Sequence, residues 1–228
     1  MQSSPNKTAS NVLCAPIERV TIFGMTNDTL SKMPSPFQFT PPKNGPFRFI
    51  AVDVETAAYD VASICQIGLA FVRFDGAIET YSTYIDPCVR FAEGNTRLHG
   101  IDAATVRHAP TFLEALPELR SFMEAHPLVQ HSRFDEKAFD AACRHVGMPI
   151  LKSIWTDSVS VARKAWPEFR GNGGHGLANL KHELGLHFRH HDAGEDARAA
   201  AEVVLKAETV LGAEITMLNA TRQLVFDF

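Results

Sequence analysis

The order of the apolar segments constrains the fold of this chain more than any other feature of the sequence. Three segments rich in β-forming residues come first, and the second and third are joined by Asp75-Gly76, a typical hairpin dipeptide. Two short apolar segments further on alternate with helical patterns. The five expected strands are 47–55, 63–72, 78–85, 127–131 and 154–157. This order predicts an α/β domain whose mixed β-sheet, an antiparallel meander followed by parallel strands, is flanked by helices.

Helical periodicity accounts for most of the remaining domain. Leu116, Leu119 and Met123, for example, repeat at intervals that place them on one face of a helix. The expected helices are 111–125, 134–146, 158–166, 177–184 and 193–211. We therefore expect the folded domain to span residues 47–211.

The two ends of the chain differ from this domain. Residues 1–46 contain seven prolines and many Ser, Thr and Asn residues, which predicts an extended or disordered arm. Residues 212–228 form a C-terminal tail that ends in an apolar peptide. The chain is thus expected to comprise an arm, one domain and a tail.

Charge and composition exclude several classes of protein. The 22 Lys and Arg residues and 26 Asp and Glu residues give a formal net charge of −4, so the chain does not bind nucleic acid through bulk positive charge. The four cysteines form no CxxC pair, which argues against a zinc knuckle. There is no apolar run long enough to span a membrane and no signal-peptide pattern, so we expect a soluble, cytoplasmic protein.

Two acidic residues end the first expected strand. Asp53 and Glu55 are two positions apart, so their side chains point to the same face of the sheet, at the strand end where open α/β sheets bind ligands. Two buried carboxylates repel one another, and a divalent cation is the simplest compensation. The alternative is a pair of acids that face water at a frayed strand end.

Two further acids lie where expected helices begin. Asp135 follows the strand 127–131, although Ser132 and Asp135 also fit a helix capping box. Near the last helix, Asp192 is expected to be the N-cap, which places His191 one residue before it and Asp196 in the first turn, where the two side chains meet. Four carboxylates beside one histidine suit two divalent ions and a general base, and they indicate phosphodiester hydrolysis.

Three motifs together resemble a known family. Val52-Asp-Val-Glu-Thr56, His131-Ser-Arg-Phe-Asp135 and His191-Asp-Ala-Gly-Glu-Asp196 are similar to the three exonuclease motifs of the DEDD superfamily in its DEDDh branch. The segments 95–101 and 155–158 resemble two further conserved stretches of that family. The resemblance implies a ribonuclease H-like fold and 3′→5′ removal of nucleoside monophosphates.

The resemblance also implies roles for individual residues. Two Mg²⁺ or Mn²⁺ ions would be held by Asp53, Glu55, Asp135 and Asp196, and His191 would be the general base. The residues implied to line the pocket for the terminal nucleotide are Thr56, His99, His131 and Phe134. The family usually has Asn where this chain has Ser132, and His190 directly precedes the expected base.

Two surface features suggest contacts with partners. A histidine-rich segment includes basic residues that either hold the backbone phosphates of a single strand or form a solvated loop: Arg163, Lys164, Arg170, Lys181 and Arg189. The C-terminal residues Gln223, Leu224, Phe226 and Phe228 resemble the peptide by which bacterial replication proteins dock on the sliding clamp. The alternative is that this tail packs on its own domain as an edge strand.

These observations favour a metal-dependent exonuclease that acts on single-stranded or frayed DNA 3′ ends. The first alternative is an exoribonuclease that trims RNA, because contacts to the 2′-OH distinguish the two substrates and the sequence does not disclose them. The second is a non-catalytic module that binds nucleic acid or the clamp. The complete acidic set argues against this module, since four repelling carboxylates would only weaken such binding.

Overall fold

A five-stranded mixed sheet forms the centre of the domain in the computed structural model, which describes residues 37–43, 46–171 and 173–214. The strand order is β3-β2-β1-β4-β5. The strands are β1 (Phe47–Thr56), β2 (Ile64–Arg73), β3 (Ile78–Tyr84), β4 (Leu128–Gln130) and β5 (Trp155–Asp157). The first three strands pair antiparallel, β4 pairs parallel to β1 and β5 pairs parallel to β4, so the predicted fold class is confirmed.

Six α-helices lie among the described residues. They are α1 (Glu93–His99), α2 (Phe112–Glu124), α3 (Phe134–His145), α4 (Ser158–Ala165), α5 (Leu177–Glu183) and α6 (Ala193–Leu211). Five of them were expected from the sequence, with ends that agree within one residue. Helix α1 was not expected from the sequence, because none of its residues is buried and the segment therefore has no apolar periodicity.

The side chains of β1 alternate between two apolar cores, one on each face of the sheet. Ile50 and Val52 pack in the core that contains α2 and α3, whereas Phe49 and Ala51 pack in the core that contains α6. Because successive strand residues point to opposite faces, Asp53 and Glu55 continue the row of Phe49 and Ala51 toward the α6 side. The alternation that fills both cores therefore also directs the two acids.

The start of α6 packs directly on β2. A Cβ atom at Gly68 would lie 2.0 Å from the carbonyl carbon of Ala193, so only glycine permits this approach. The backbone N–H of Ala193 also donates to Oε1 of Gln66, at 3.2 Å. Gly68 and Gln66 are the β2 partners of Asp53 and Glu55 in the sheet. The first turn of α6 is thus held opposite the acidic end of β1.

Residues that precede β1 also contribute to the core. Phe37 is buried, and the Phe39 ring lies 4.9 Å from the Tyr81 ring and 5.6 Å from the Phe122 ring, between centroids. Residues 37–43 form no helix or strand. The apolar core therefore includes part of the segment that we expected to be an arm.

The remainder of the arm and most of the C-terminal tail lie outside the described residues. These comprise 1–36, 44–45 and 215–228. The peptide of Gln223, Leu224, Phe226 and Phe228 falls in the last range, so its docking on a clamp stays a prediction. Within the part of the chain that the structure describes, no helix is both long and apolar enough to cross a membrane.

The contact at Gly68 generates a stability prediction. Gly68→Ala should lower the free energy of unfolding by more than about 2 kcal/mol, because the new methyl group meets backbone atoms that cannot move without shifting α6. Urea denaturation of the purified protein measures this change.

Gly94→Ala in α1 is the matched control. Its Cβ atom would meet nothing closer than the Tyr59 hydroxyl at 3.8 Å, so this change should be neutral or stabilise the protein by up to about 1 kcal/mol. Equal stability of the Gly68→Ala variant and the parent protein would show that α6 does not depend on this close approach.

Candidate active site

Four acidic side chains line one cleft at the carboxyl end of β1. Asp53 and Glu55 come from β1, Asp135 from the first turn of α3 and Asp196 from the first turn of α6. The cleft has a volume of about 440 Å³. Because β4 runs parallel to β1, the helix that follows it begins at the same edge of the sheet, and this brings Asp135 to the cleft.

The carboxylates lie close together. Asp53, Glu55 and Asp196 each place one oxygen within 4.8 Å of the others. Oδ1 of Asp135 accepts a hydrogen bond from the backbone N–H of Val54, at 3.0 Å. Glu55, Asp135 and Asp196 are only 8%, 2% and 3% exposed. The alternative, in which Asp53 and Glu55 face water at a frayed strand end, is therefore wrong.

Burial changes the ionisation of all four groups. It raises the pKa of Glu55 to about 7 and that of Asp135 to about 8, with the neighbouring carboxylates adding to the effect. Burial and then the charges of Asp135, Asp196 and Glu55 raise the pKa of Asp53 well above its ordinary value. The pKa of Asp196 is also raised by burial, although His190 opposes the shift.

This set of donors fits divalent metal ions. Buried oxygen ligands that repel one another and hold protons near neutral pH gain free energy when a cation replaces those protons. Carboxylate oxygens are the ligands that Mg²⁺ and Mn²⁺ prefer. The cluster therefore has both the chemistry and the electrostatic need for bound cations.

Asp135 is free for this role because the capping-box interpretation is wrong. The N-cap of α3 is Arg133, not Ser132, and its side chain makes no capping hydrogen bond to the helix backbone. The N–H of Ser132 donates to Oδ1 of Asp157, at 3.2 Å, and Ser132 has a φ of 86°. This left-handed conformation favours Asn or Gly over Ser, which gives a physical reason for the Asn that the resemblance leads one to expect.

The start of α6 has the N-cap that was expected from the sequence. Asp192 is the N-cap, and its side chain accepts from the N–H of Glu195 at 3.3 Å. The Glu195 carboxylate pairs with Arg198 at 2.9 Å. Asp196, one residue later, therefore points into the cleft from a helix whose first turn is fixed on both sides.

Two histidines, rather than one, contact Asp196. Nδ1 of His190 lies 3.0 Å from its Oδ2 atom, and the backbone N–H of His191 donates to the same oxygen at 2.8 Å. The two imidazole rings stack with centroids 4.0 Å apart. We expected the imidazole of His191 to be the one that meets the carboxylate, but the hydrogen-bonded ring is that of His190. The His-His pair was the only sequence signal for this residue.

His191 has a strained backbone. Its φ is 66°, which is uncommon for a residue with a side chain, and its imidazole lines the cleft. Burial lowers its pKa, and the neighbouring His190 adds to that shift. A lowered pKa keeps the His191 imidazole neutral at neutral pH, which is the form that can accept a proton.

The residues implied to bind the terminal nucleotide also line the cleft: Thr56, His99, His131 and Phe134. The carbonyl of Thr56 accepts from Nδ2 of Asn95 at 2.8 Å and lies 3.2 Å from Nε2 of His99. This arrangement ties the end of β1 to α1, so the helix that the sequence analysis missed forms one wall of the cleft.

His131 is held on both sides by the protein. Its Nδ1 lies 2.8 Å from the Ser158 hydroxyl, and its Nε2 lies 3.0 Å from the carbonyl of His175, to which it donates. Burial lowers the pKa of His131 to about 4. The structure therefore makes His131 a neutral group that connects β4 to α4, and its ring nitrogens are already occupied.

Two exposed apolar side chains in the cleft were missed. Tyr59 is 89% exposed and Leu98 is 56% exposed, and both line the cleft together with Phe134. Tyr59 follows the first acidic motif, and Leu98 precedes His99. Their closeness to recognised motifs is the signal that could have identified them.

Comparison with known proteins decides the family. The exonuclease family model RNase_T matches residues 50–204, which is more than half of the chain. The chain belongs to this exonuclease family. The matched range contains all four acids, the four histidines that line the cleft and every helix and strand from β2 to α5.

Curated relatives of the exonuclease are DNA polymerases. It is 27% identical over 161 residues to the PolC-type DNA polymerase III of Caldanaerobacter subterraneus subsp. tengcongensis, a match that covers 69% of this chain and 11% of that protein. It is 28% identical over 185 residues to the PolC-type enzyme of Thermotoga maritima, covering 79% of this chain and 13% of that protein. The chain thus spans little more than a tenth of these relatives.

Solved structures share the fold of the exonuclease. Exonuclease X in complex with 5′ overhanging duplex DNA superposes with a TM-score of 0.58 and 20% identity, covering 72% of this chain and 93% of that chain. The nuclease domain of 3′hExo, a DEDDh family member bound to rAMP, gives a TM-score of 0.59 and 17% identity, covering 74% and 94%. The family model confirms the exonuclease family that the resemblance implies and the interpretation of the chain as an enzyme, and the solved structures, one of them a DEDDh family member, share its fold.

The raised pKa values of the exonuclease site generate a prediction about metal binding. Carboxyl groups that keep their protons up to about pH 7 to 8 must lose them to bind a cation, so protons and metal compete. The increase in Tm that Mg²⁺ produces should therefore be small at pH 5.5 and grow toward pH 8. Thermal denaturation with and without Mg²⁺ at both pH values measures it.

Asp53→Asn is the control for this prediction, because it removes one charge from the cluster at little change in volume. Its Tm should respond much less to Mg²⁺ at either pH. A Tm increase in the parent protein that is equal at pH 5.5 and pH 8 would contradict the assignment of these carboxylates as the metal ligands.

Proposed function

We propose that this exonuclease hydrolyses phosphodiester bonds at the 3′ ends of single-stranded or frayed DNA in a metal-dependent reaction and releases nucleoside monophosphates. The observation that carries the proposal is the convergence of four carboxylates, three of them buried, from three separate chain segments beside a pair of histidines. A structural role does not account for this arrangement, because burying like charges together destabilises the fold.

The carboxylates would hold two ions, Mg²⁺ or Mn²⁺. Asp53, Glu55 and Asp196 have converging oxygens, and Asp135 faces them from α3. When bound, two such ions supply an activated water and neutralise charge on the attacking and leaving oxygens. The protein contributes the fixed position of each ligand, through β1, α3 and α6.

His191 would take the proton from the attacking water. Its imidazole is neutral at neutral pH because burial lowers its pKa, so a ring nitrogen can accept that proton. His190 has a different role in this proposal: its Nδ1 orients the Asp196 carboxylate from the side. The adjacent histidines thus divide proton transfer and ligand positioning between them.

The terminal nucleotide would lie in the cleft between β1 and α1. Tyr59, Leu98 and Phe134 offer exposed apolar surface on which an unstacked base can rest. Thr56 and His99 lie at the polar side of the same cleft, where Asn95 donates to the Thr56 carbonyl and Nε2 of His99 lies 3.2 Å from that oxygen. His131 supports this wall from behind, since both of its ring nitrogens bond to the protein.

The curated relatives support DNA over RNA as the substrate. They include PolC-type DNA polymerases, and about two thirds of this chain, which the exonuclease family model also matches, aligns with them. We propose that the protein acts as a proofreading subunit does, by removing nucleotides from DNA 3′ ends. RNA remains the comparison substrate, because the similar 3′hExo domain was solved with rAMP.

A direct assay tests the proposed activity. The protein should shorten a 5′-labelled single-stranded DNA oligomer one nucleotide at a time when Mg²⁺ or Mn²⁺ is present, and should leave it intact in EDTA. Asp135→Asn should lower kcat by at least about 100-fold, because a metal ligand is lost while the volume is kept. Gel electrophoresis of timed samples measures both effects.

A folding control and a matched RNA substrate complete this experiment. Circular dichroism of Asp135→Asn shows whether it is folded, and removal of a buried charge should leave its Tm equal or higher in EDTA. Shortening of a matched RNA oligomer alone would replace the DNA proposal with an exoribonuclease. If the parent protein shortens neither oligomer with either ion, the proposed activity is wrong.

The two histidines should differ when each is replaced by glutamine. His191→Gln should lower kcat by about 10²- to 10⁴-fold with little change in KM, because the general base is lost. His190→Gln should affect kcat less and should raise the Mg²⁺ concentration needed for half-maximal activity. Steady-state kinetics over a Mg²⁺ series separates the effects. The opposite ranking of the two variants would assign the base to His190.

A further inference from the structure

We propose that a second cavity, lined by Arg163, binds the DNA backbone on the 5′ side of the bond that is cut. Arg163 would contact a phosphate of the strand that stays with the enzyme after one nucleotide is released. The inference rests on the proposed exonuclease function and adds the site for the remaining strand, which the acidic cluster by itself does not locate.

The second cavity adjoins the catalytic cleft. Its volume is about 410 Å³, close to the 440 Å³ of the first. The residues that line both cavities are Asp53, His131, Ser132, His190 and Asp196. Two of the acids therefore lie where the cavities meet, and a phosphodiester bound there has one cavity on each side of it.

The two cavities differ in their chemistry. The first has the exposed side chains of Tyr59, Leu98 and Phe134, which suit a base. The second has none of these, and Arg163 is the one Lys or Arg residue that lines either cavity among the described residues. This difference assigns the base of the terminal nucleotide to the first cavity and a phosphate to the second.

The chemistry of the substrate fixes which phosphate this is. A 3′-terminal nucleotide ends in a hydroxyl group, so no phosphate lies beyond it. A phosphate other than the one being attacked can therefore come only from the 5′ side of the strand. A basic side chain beside the acidic cluster that binds a second phosphate must therefore contact the 5′ part of the DNA strand.

Arg163 is available for such a contact. It is exposed and makes no ion pair with the residues that the structure describes. Two other basic residues of the expected rim are engaged: Lys181 donates to the carbonyl of Phe188 at 2.6 Å, and Arg189 pairs with Asp192. Of the five basic residues that the sequence suggested for phosphate binding, only Arg163 lines the second cavity.

The position of Arg163 is fixed by the helix that carries it. Val161 and Ala162 of α4 pack in the core beside α6, which leaves Arg163 on the opposite, exposed face. The first residue of α4, Ser158, hydrogen-bonds His131, a residue shared by both cavities. The helix that presents the cation is therefore tied to the catalytic cleft.

Two substrates separate the proposed contact from catalysis. Thymidine 5′-(p-nitrophenyl phosphate) has one phosphodiester and no second phosphate, whereas an oligothymidylate of eight nucleotides extends into the second cavity. Arg163→Gln should lower kcat/KM on the oligomer by about tenfold, mainly through KM, and on the ester by less than twofold. Arg163→Lys, which keeps the charge, should recover most of the loss.

Salt dependence gives a second readout that does not need turnover. In the Asp135→Asn background with Mg²⁺, fluorescence anisotropy measures the Kd for the labelled oligomer across a KCl series. Loss of one phosphate contact should reduce the slope of log K against log[KCl] by about 0.7 for a single strand. An unchanged slope in the Arg163→Gln double variant would overturn the proposal.

Lys164→Gln is the matched control. Lys164 is the next residue, is exposed and carries the same charge, but it lines neither cavity. It should change kcat/KM by less than twofold on both substrates. Equal losses for the two variants would mean that general electrostatics, and not a site, explains the effect.

The remaining outcomes are also decisive. Equal losses of Arg163→Gln on the ester and the oligomer would show that the change disturbs the catalytic groups, and no loss on either would show a solvated side chain. Both overturn the inference while leaving the exonuclease function intact. If the parent protein hydrolyses neither the ester nor the oligomer, the proposed function itself is refuted.

Discussion

The close packing of α6 on β2 at Gly68 is the contact on which the site depends. It brings the first turn of α6 within backbone distance of the sheet, opposite the acids of β1. Gln66 adds a buried hydrogen bond to the same turn. Without this approach Asp196 would lie too far from Asp53 and Glu55 for their oxygens to converge. Packing of a glycine thus sets the geometry of a charged cluster.

The cluster formed in this way opposes the stability of the fold. Four carboxylates lie together, three of them buried, and burial raises their pKa values, with repulsion between them adding to the shift at Asp53, Glu55 and Asp135. Bound cations reverse this balance, since they favour the ionised forms. Two divalent ions, as proposed, would bring +4 to a chain whose formal net charge is −4. Binding of DNA is then expected to depend on metal, with Arg163 as a local exception to the acidic surroundings.

Local sequence patterns were sufficient to predict most of the helices and strands and to identify the acidic residues of the cleft. The alternation along β1 placed Asp53 and Glu55 on one face, and helical periodicity located α6 and its N-cap at Asp192. Local patterns failed where the structure depends on distant contacts. Helix α1 buries no residue and so left no periodic signal, and the Ser132 capping box was displaced because Asp157 binds its N–H group.

The amino-acid sequence was enough to identify the acids and histidines that lie together in the cleft, because residue type and spacing decide which side chains share a strand face or a helix turn. The contacts that these groups make with the rest of the protein became visible only in the folded structure. It showed that the His190 ring contacts Asp196, that His131 is occupied by Ser158 and the carbonyl of His175, and that Arg163 faces a second cavity. The contacts of His131 join residues 27 and 44 positions apart in the chain, and no local pattern specifies them.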